Sequence, residues 1–310
     1  MARRSWWETF AVLAAVLSVA GAGAYYWLFI QSPTLEGKFE IDIKEVRRLA
    51  SSVKGEPPRE IRYEHIMDFK APDAAAVAGD GWKQSTLWGS AFQLVSPAGH
   101  TTILETAMNG EQAKASGMVT GYYPEAYERL IQAMSKASLI LVTHEHADHI
   151  GGLAAHPELA RLLARSVRLN REQTTNPEHT VPARFPDGVF AHYKPIDYER
   201  YLAIAPGIVL IRNPGHSAGS QMIFVRNLAG VELLFLGDVA WIMRNVELVR
   251  GKPRFLSNKI GEERAAVLPQ LAAVHDLAAA EPTLILVPGH DGGTIADLTK
   301  RGIMKEGFEQ

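Results

Sequence analysis

Four side chains of the kinds that bind metals crowd into six positions directly after a short apolar segment. Residues 139–143 are apolar and predict a strand, and the positions that follow include His144, His146, Asp148 and His149. In a regular strand these side chains would be divided between two faces, whereas a loop that turns into a helix lets all four point to one centre. Residues 150–152, Ile-Gly-Gly, are compatible with a tight turn there. Imidazole and carboxylate hold zinc while leaving a position for water, so this segment predicts a metal site.

Three further candidate ligands lie downstream, each close to the end of an apolar segment. They are His216, Asp238 and His290. Taken singly, each has an ordinary structural explanation, such as a core histidine, a helix N-cap aspartate or a loop histidine. Strand ends of a layered protein meet at a shared edge, so the joint occurrence of these residues favours one site that holds two metals.

The remaining pattern predicts an α/β protein. Helices are predicted at 124–137 and 262–280, and strands at 91–96, 101–105, 139–143, 208–211, 221–225, 232–236 and 283–287. Strands and helices alternate through the second half of the chain and a hairpin opens the domain, which is typical of a layered α/β architecture.

The N-terminal segment predicts one transmembrane helix. About 20 apolar residues up to Ile30 are enough to cross a bilayer core of ~30 Å. Arg3 and Arg4 precede them, and the flanking aromatic residues are Trp6, Trp7, Tyr25, Tyr26 and Trp27. Because positive residues stay cytoplasmic, we expect a single-pass protein of a bacterial inner membrane with its catalytic domain in the periplasm. The alternative is a signal peptide, cleaved after Ala20, Ala22 or Ala24, which would leave a secreted or periplasmic protein.

Length and composition predict how the chain divides into domains. The 310 residues predict a membrane anchor or signal peptide at 1–31, a linker with a short charged helix at 32–58, and a catalytic domain at 59–310. With a net charge of -2, no basic excess indicates a nucleic-acid surface, so we expect a small-molecule substrate and no nucleic-acid partner. The chain has no cysteine, which excludes disulfides and zinc–thiolate sites. The oligomeric state stays open.

The ligand pattern resembles that of the metallo-β-lactamase superfamily, over roughly residues 85–292. The resemblance implies an αββα sandwich, in which two β-sheets pack between outer helices with the metals at one edge. It places one zinc ion on His144, His146 and His216. It places the second on Asp148, His149 and His290, with Asp238 bridging the two. Such a site holds a metal-bound hydroxide that attacks an ester-like bond, and Asp148 is the catalytic residue that orients the water or passes its proton to the leaving group.

Asp238 and the lack of cysteine make the chain more similar to lactonase and glyoxalase II-like members than to true β-lactamases. We therefore expect a dinuclear zinc hydrolase that acts on a lactone or a small carboxylic ester. The alternatives are a phosphodiesterase, a thioesterase, an iron-dependent sulfur oxygenase and a metal-stabilised binding module. The same nitrogen and oxygen ligands also accept Mn²⁺ or Fe²⁺.

Several residues near the pattern allow narrower predictions. Glu105 stands where many relatives have an Asp-Thr-Gly turn, so it either supports a metal ligand or caps a turn. Trp241 and Arg244 follow Asp238 closely and are the predicted substrate contacts, since a loop there would overhang the metals. The histidines without ligand spacing are interpreted as structural or solvent-exposed: His65, His100, His156, His179, His192 and His275.

Overall fold

The structure is a computed structural model that describes residues 6–175 and 179–310. Its helices are α1 (Trp6–Tyr25), α2 (Ile43–Ala50), α3 (Asp73–Ala76), α4 (Gly110–Ser116), α5 (Pro124–Lys136), α6 (Ala147–Ala154), α7 (Leu159–Arg165), α8 (Arg171–Thr175), α9 (Met243–Leu248), α10 (Arg254–Ile260), α11 (Arg264–Ala280) and α12 (Gly292–Lys300). Its strands are β1 (Glu60–Pro72), β2 (Gln84–Val95), β3 (Thr101–Leu104), β4 (Val119–Tyr122), β5 (Leu139–Leu141), β6 (Tyr201–Ala205), β7 (Ile208–Arg212), β8 (Gln221–Arg226), β9 (Glu232–Gly237), β10 (Ile285–Pro288) and β11 (Met304–Glu306).

The strands form two sheets. The first has the order β11-β1-β2-β3-β5, and β4 pairs with β1. The second has the order β10-β9-β8-β7-β6. In the second sheet β8 is antiparallel to both β7 and β9, and β10 is parallel to β9. The carboxyl ends of β7, β9 and β10 therefore lie at the same edge.

The two sheets pack face to face. Because successive side chains of a strand point to opposite faces of its sheet, each strand contributes to two apolar cores. In β7, Ile208 and Leu210 point into the space between the sheets, where they join Phe92 and Phe235 in one apolar cluster. The intervening residues of β7 point the other way and pack under α2 and α11. A strand that is covered on both sides needs apolar residues on both of its faces, as β7 has.

Helices cover the outer face of each sheet. Leu130 and Met134 of α5 and Leu153 of α6 are fully buried against the first sheet. Val274 of α11 and Val46 of α2 are fully buried against the second. The predicted αββα sandwich is confirmed. The short charged helix expected in the linker is α2, and its apolar face lies on the second sheet; the domain limits stay a prediction.

Most of the N-terminal helix stands clear of the sandwich, and only its last turns contact it. Residues Trp6–Ile30 form a continuous helix, α1 followed by a π-helical segment, that is long and apolar enough to cross a membrane and has no buried residue in its most apolar window. Its end contacts the domain through Phe29, which stacks on Phe255 of α10 at 5.6 Å between ring centroids. Arg3 and Arg4 lie outside the described residues.

Candidate metal centre

The predicted ligands come from four chain segments that meet at one edge of the sandwich. Each segment lies just beyond the carboxyl end of a strand: β5 in the first sheet, and β7, β9 and β10 in the second. His146 is the residue before α6, and Asp148 and His149 occupy the first turn of that helix. The predicted transition from loop to helix is correct, but the tight turn predicted at residues 150–152 is wrong, because α6 continues through both glycines to Ala154.

Three imidazole nitrogens converge to form the first group. His146 Nδ1 lies 3.1 Å from His144 Nε2 and 2.9 Å from His216 Nε2. These separations are close to the ~3.3 Å between ligand nitrogens that tetrahedral zinc imposes. Asp238 completes the group, and all four ligand atoms lie within 4.8 Å of one another.

Asp148, His149 and His290 form the second group, whose ligand atoms also lie within 4.8 Å of one another. Asp238 joins the two groups. Its Oδ1 lies 3.3 Å from His149 Nε2 and 3.2 Å from His290 Nε2, while its Oδ2 lies 3.5 Å from His216 Nε2. The structure thus divides the seven predicted ligands as the resemblance implied, with one carboxylate facing both groups.

The chemistry of the donor atoms fits metal ions. The Asp238 Oδ1 atom and the His149 Nε2 atom are buried, and although they lie 3.3 Å apart, neither makes a hydrogen bond of acceptable geometry. An unpaired polar atom in the interior costs about 1–3 kcal/mol, so unpaired nitrogen and oxygen atoms that converge on one point fit a bound cation. His144, His146 and His216 could hold one ion, and Asp148, His149 and His290 a second, with Asp238 between them.

Most of the ligand histidines have an acceptor on the ring nitrogen that faces away from the centre. His216 Nδ1 lies 2.8 Å from Glu262 Oε2, and His290 Nδ1 lies 2.8 Å from the Trp88 carbonyl oxygen. His149 Nδ1 lies 3.3 Å from Glu105 Oε2, which is within ion-pair distance although the geometry is not that of a hydrogen bond. Such partners fix the tautomer and the ring orientation of a metal-binding histidine. Glu105 also accepts a hydrogen bond from the Thr143 backbone N–H at 3.2 Å, so it supports both a ligand and a loop.

Glu262 belongs to a buried network that the sequence did not reveal. Lys252 Nζ donates to Glu262 Oε2 at 2.6 Å and to the Asp238 carbonyl oxygen at 2.6 Å, and Ser257 Oγ donates to Glu262 Oε1 at 2.9 Å. The network ties a ligand of the first group to the backbone of the bridging aspartate. Neither Lys252 nor Glu262 lies at a ligand-like spacing, so only tertiary structure identifies them.

The two groups differ in electrostatic character. Burial lowers the pKa of His144 well below its usual range and lowers the pKa of His146 to about 3, so the first group favours neutral imidazole. Burial acts in the same direction on His149, but the Glu105, Asp148 and Asp238 carboxylates outweigh it and raise the pKa of His149 well above its usual range. Three carboxylates thus act on the second group, and their negative charge favours a positive charge there, which a bound cation can supply in place of a proton.

Glycine at position 289 makes room for the bridging carboxylate. A Cβ atom at Gly289 would lie 2.3 Å from Asp238 Oδ1, closer than any van der Waals contact. On the other side of the carboxylate, the Trp241 indole N–H donates to Asp238 Oδ2 at 2.6 Å. Both neighbours therefore fix where Asp238 lies between the two groups.

The two predicted substrate contacts lie in different places. Trp241 lines a cavity of about 480 Å³ beside the centre, together with His146 and Asp148. Arg244 forms an ion pair with Asp80 and lines a neighbouring surface pocket instead. Substrate contact by either residue stays a prediction.

The sequence pattern groups His179 with the structural or solvent-exposed histidines, but the structure places it beside the candidate metal centre. It lines the same cavity, and its ring centroid lies 5.7 Å from that of His146. No spacing signal marks it, because it lies in the long segment between the first cluster and His216 and reaches the site only through the fold.

Comparison with known proteins identifies relatives in sequence. The model of the family described as the metallo-beta-lactamase superfamily matches residues 99–292. A hydroxyacylglutathione hydrolase of Pseudomonas savastanoi pv. phaseolicola is 29% identical over 136 residues, which cover 44% of this chain and 45% of that protein. The corresponding enzyme of Pseudomonas syringae pv. syringae is 28% identical over 138 residues, with the same coverage of 44% and 45%. The chain thus spans less than half the length of these curated relatives.

Solved structures share the fold. An N-acyl homoserine lactone hydrolase with the product N-hexanoyl-L-homoserine at its catalytic metal center has a TM-score of 0.61 at 15% identity, covering 78% of this chain and 96% of that chain. A probable metal-dependent hydrolase from Staphylococcus aureus has a TM-score of 0.58 at 14% identity, covering 76% of this chain and 91% of that chain. At such identities the likeness establishes the architecture.

Proposed function

Because this chain belongs to the metallo-beta-lactamase superfamily, we propose that it is a two-zinc hydrolase of a lactone or small carboxylic ester. The observation that carries the proposal is the division of seven ligands into two groups joined by Asp238. Bound metal ions supply Lewis acidity, which activates water at neutral pH and neutralises charge on the carbonyl oxygen. A non-catalytic binding module has no need of that arrangement.

Asp148 is the residue we assign to proton transfer. Its side chain is 22% exposed, whereas those of His149 and His290 are each 4% exposed, so it is a ligand that reaches the cavity. In the reaction, water adds to the ester carbonyl and the bond from the acyl carbon to the alcohol oxygen breaks. The Asp148 carboxylate takes a proton from the water and delivers it to the departing alkoxide, giving a carboxylic acid and an alcohol.

The composition of the cavity wall favours a neutral carbonyl substrate over a phosphodiester. Among the described residues, Lys259 is the only lysine or arginine in the cavity wall, and it is exposed at the rim. Apolar side chains, among them Trp241 and Leu256, make up much of the remainder. Recognition of a phosphate usually relies on several cationic donors, whereas an ester needs a place for its apolar part.

A thioester is the second candidate. The hydroxyacylglutathione hydrolases that resemble the chain at 29% and 28% identity favour it, although they match less than half of their own length. The two candidates share the same attack on a carbonyl carbon and differ in the leaving group, so substrate comparison separates them.

We also propose that the protein is anchored in the bacterial inner membrane with its catalytic domain in the periplasm. The support is the exposed helix Trp6–Ile30, whose length and composition suit a bilayer. External protease added to spheroplasts should degrade the catalytic domain, and the mature protein should keep the mass of the full chain. A mass reduced by the N-terminal segment would instead indicate a cleaved signal peptide.

The test of activity uses the purified full-length protein in detergent. It is assayed on a lactone, a carboxylic ester, a thioester and a phosphodiester of matched size, with metal content measured on the same sample. We expect two zinc ions per chain, turnover of the lactone or ester, and loss of turnover in Asp148→Ala. Turnover of the phosphodiester alone, or one iron per chain with oxygen consumption, would contradict the proposal.

A further inference from the structure

We propose that the cavity receives its substrate from the lipid bilayer, and that this substrate is an amphiphilic carboxylic ester whose apolar chain lies along α10. This inference rests on the proposed ester hydrolysis and the proposed membrane anchor, and it specifies the substrate class. It is carried by one structural feature: α10 contacts the N-terminal helix through one of its faces and lines the catalytic cavity with a neighbouring face.

Aromatic side chains form the contact between the membrane helix and the domain. Phe29 lies between Phe255 of α10 and Trp82, with centroid distances of 5.6 Å and 5.9 Å. The Trp82 indole N–H donates to the Tyr25 hydroxyl at 3.0 Å. Trp82 and Phe255 are 56% and 53% exposed and both contact Phe29, so they form a contiguous exposed apolar patch of the kind that marks an interaction or membrane surface. Tryptophan and tyrosine concentrate where hydrocarbon meets headgroups, which places this contact at the bilayer surface.

Polar bonds fix the same junction. The Gly79 backbone N–H donates to the Phe29 carbonyl at 2.9 Å. Arg254, the first residue of α10, donates to Gln31 Oε1 at 3.2 Å, and its guanidinium lies 4.5 Å from the centroid of the Trp27 ring. The Arg264 guanidinium donates to the Gln31 carbonyl oxygen. The junction is therefore bonded at successive points on the chain, and α10 is held beside the point where the helix leaves the membrane.

A neighbouring face of α10 is part of the cavity wall. Leu256 and Ile260, one helical turn apart, line the cavity that also contains Asp148 and Asp238. Leu256 is adjacent in sequence to Phe255, so a single residue step separates the membrane contact from the catalytic cavity. Met118 and Val181 line the same cavity and are 57% and 58% exposed, which makes its rim apolar as well.

A membrane-resident ester suits this arrangement. Its apolar chain would pass from the bilayer over Leu256 and Ile260, leaving the carbonyl group near Asp148. Burial of the chain against these side chains removes apolar surface from water and so adds binding energy. A soluble ester with a short chain would reach the same carbonyl position without that contribution.

The first experiment compares two substrates on the full-length enzyme reconstituted in phosphatidylcholine–phosphatidylglycerol vesicles. The substrates are butanoyl and hexadecanoyl esters of one fluorogenic alcohol, and the readout is the ratio of their kcat/KM values. We expect the wild type to prefer the hexadecanoyl ester. Leu256→Gln should lower the ratio about tenfold, as loss of apolar contact in a pocket typically does. Ile260→Gln is a second variant on the same face, should the first fail to fold.

Leu228→Gln is the matched control, because Leu228 is 51% exposed and lies in the turn between β8 and β9. It should keep the ratio of the wild type. An equal ratio in Leu256→Gln, Ile260→Gln and Leu228→Gln would overturn the inference. If the wild type cleaves neither ester, the proposed hydrolysis fails, and the second experiment decides separately whether α10 lies at the bilayer.

The second experiment needs no activity. The chain has no cysteine, so Phe255→Cys and Leu228→Cys each give a unique site for a polarity-sensitive fluorophore. In vesicles the label at position 255 should shift to the blue and be quenched by nitroxide-labelled lipids, while the label at position 228 should do neither. Equal quenching at both positions, or none at 255, would overturn the inference even if the enzyme hydrolyses soluble esters.

Discussion

Lys252 and Glu262 form a buried ion pair that lies one hydrogen bond away from His216, a candidate metal ligand. Their side chains are 1% and 0% exposed, and the Nζ–Oε2 distance is 2.6 Å. Burial opposes charge on Glu262, but Lys252 and the hydrogen bond from His216 prevail and lower the pKa of Glu262 to about 2. The carboxylate thus stays ionised and holds the His216 ring in a fixed orientation.

Replacing Lys252 by methionine should strongly destabilise the protein. The change leaves the Glu262 charge buried without its cation, which typically costs about 3–5 kcal/mol. Urea denaturation of wild type and Lys252→Met, both with metal removed, measures the difference. Arg301→Met removes a partner from an exposed ion pair and should leave the midpoint unchanged. Equal midpoints for the two variants would show that the buried pair does not stabilise the fold.

His216→Ala and His290→Ala should each remove one of two metal ions. His216 belongs to the first group and His290 to the second, so the loss of one ligand weakens one site. The zinc content measured by elemental analysis after dialysis should fall from two ions per chain to one in each variant. Esterase activity should fall by more than the ~10–100-fold typical of a change outside the ligand shell. Two zinc ions retained in both variants would contradict the assignment.

Glu105→Gln should weaken the second metal site and leave the first intact. The substitution keeps the shape and an acceptor for Thr143 but removes the charge beside His149 Nδ1. In a chelator titration, one zinc ion should be released at a chelator concentration about 10–100-fold lower than in the wild type, and the other at an unchanged concentration. Glu172→Gln, in the Arg212 ion pair, is the control and should release both ions as the wild type does. Unchanged release in Glu105→Gln would mean that Glu105 only caps a turn.

Gly289→Ala should displace the bridging carboxylate. A Cβ atom there would lie 2.3 Å from Asp238 Oδ1, so either Asp238 or the loop before His290 has to move. We expect lower zinc content and little activity in a protein whose circular dichroism spectrum matches that of the wild type. Gly81→Ala, where a Cβ atom has nothing within 4 Å, is the matched control. Full zinc content in Gly289→Ala would contradict the importance of this close approach.

The seven candidate ligands could be selected from the sequence because four of them crowd into residues 144–149 and each of the others follows an apolar segment, and the structure brings all seven together. The helix predicted at 124–137 and the strand at 232–236 correspond to α5 and β9 within a residue. β1 was missed because its buried residues do not alternate simply. Glu64 in that strand is 1% exposed, paired with Arg129 of α5, and a buried glutamate gives no apolar signal.

The remaining features depend on contacts between distant segments. Gly151 and Gly152 were interpreted as a turn, but they lie inside α6, where a Cβ on Gly152 would lie 2.0 Å from the Thr106 carbonyl oxygen. A helix that packs closely on a loop needs glycine at the contact, and a tight turn needs glycine as well, so the sequence does not distinguish the two. The pairing of Lys252 with Glu262 and His216 is likewise a matter of tertiary geometry.

The segment from Lys252 to Glu262 has a practical consequence for anyone who works with this protein. It binds Gln31 through Arg254, and it supports His216 through Ser257 and Glu262. Deleting the first thirty-one residues to obtain a water-soluble fragment would remove the contacts of Phe29 and Gln31 with α10, the helix that precedes the support of the candidate ligand His216. Kinetic constants measured on such a fragment should therefore be compared with those of the full chain before they are assigned to the protein.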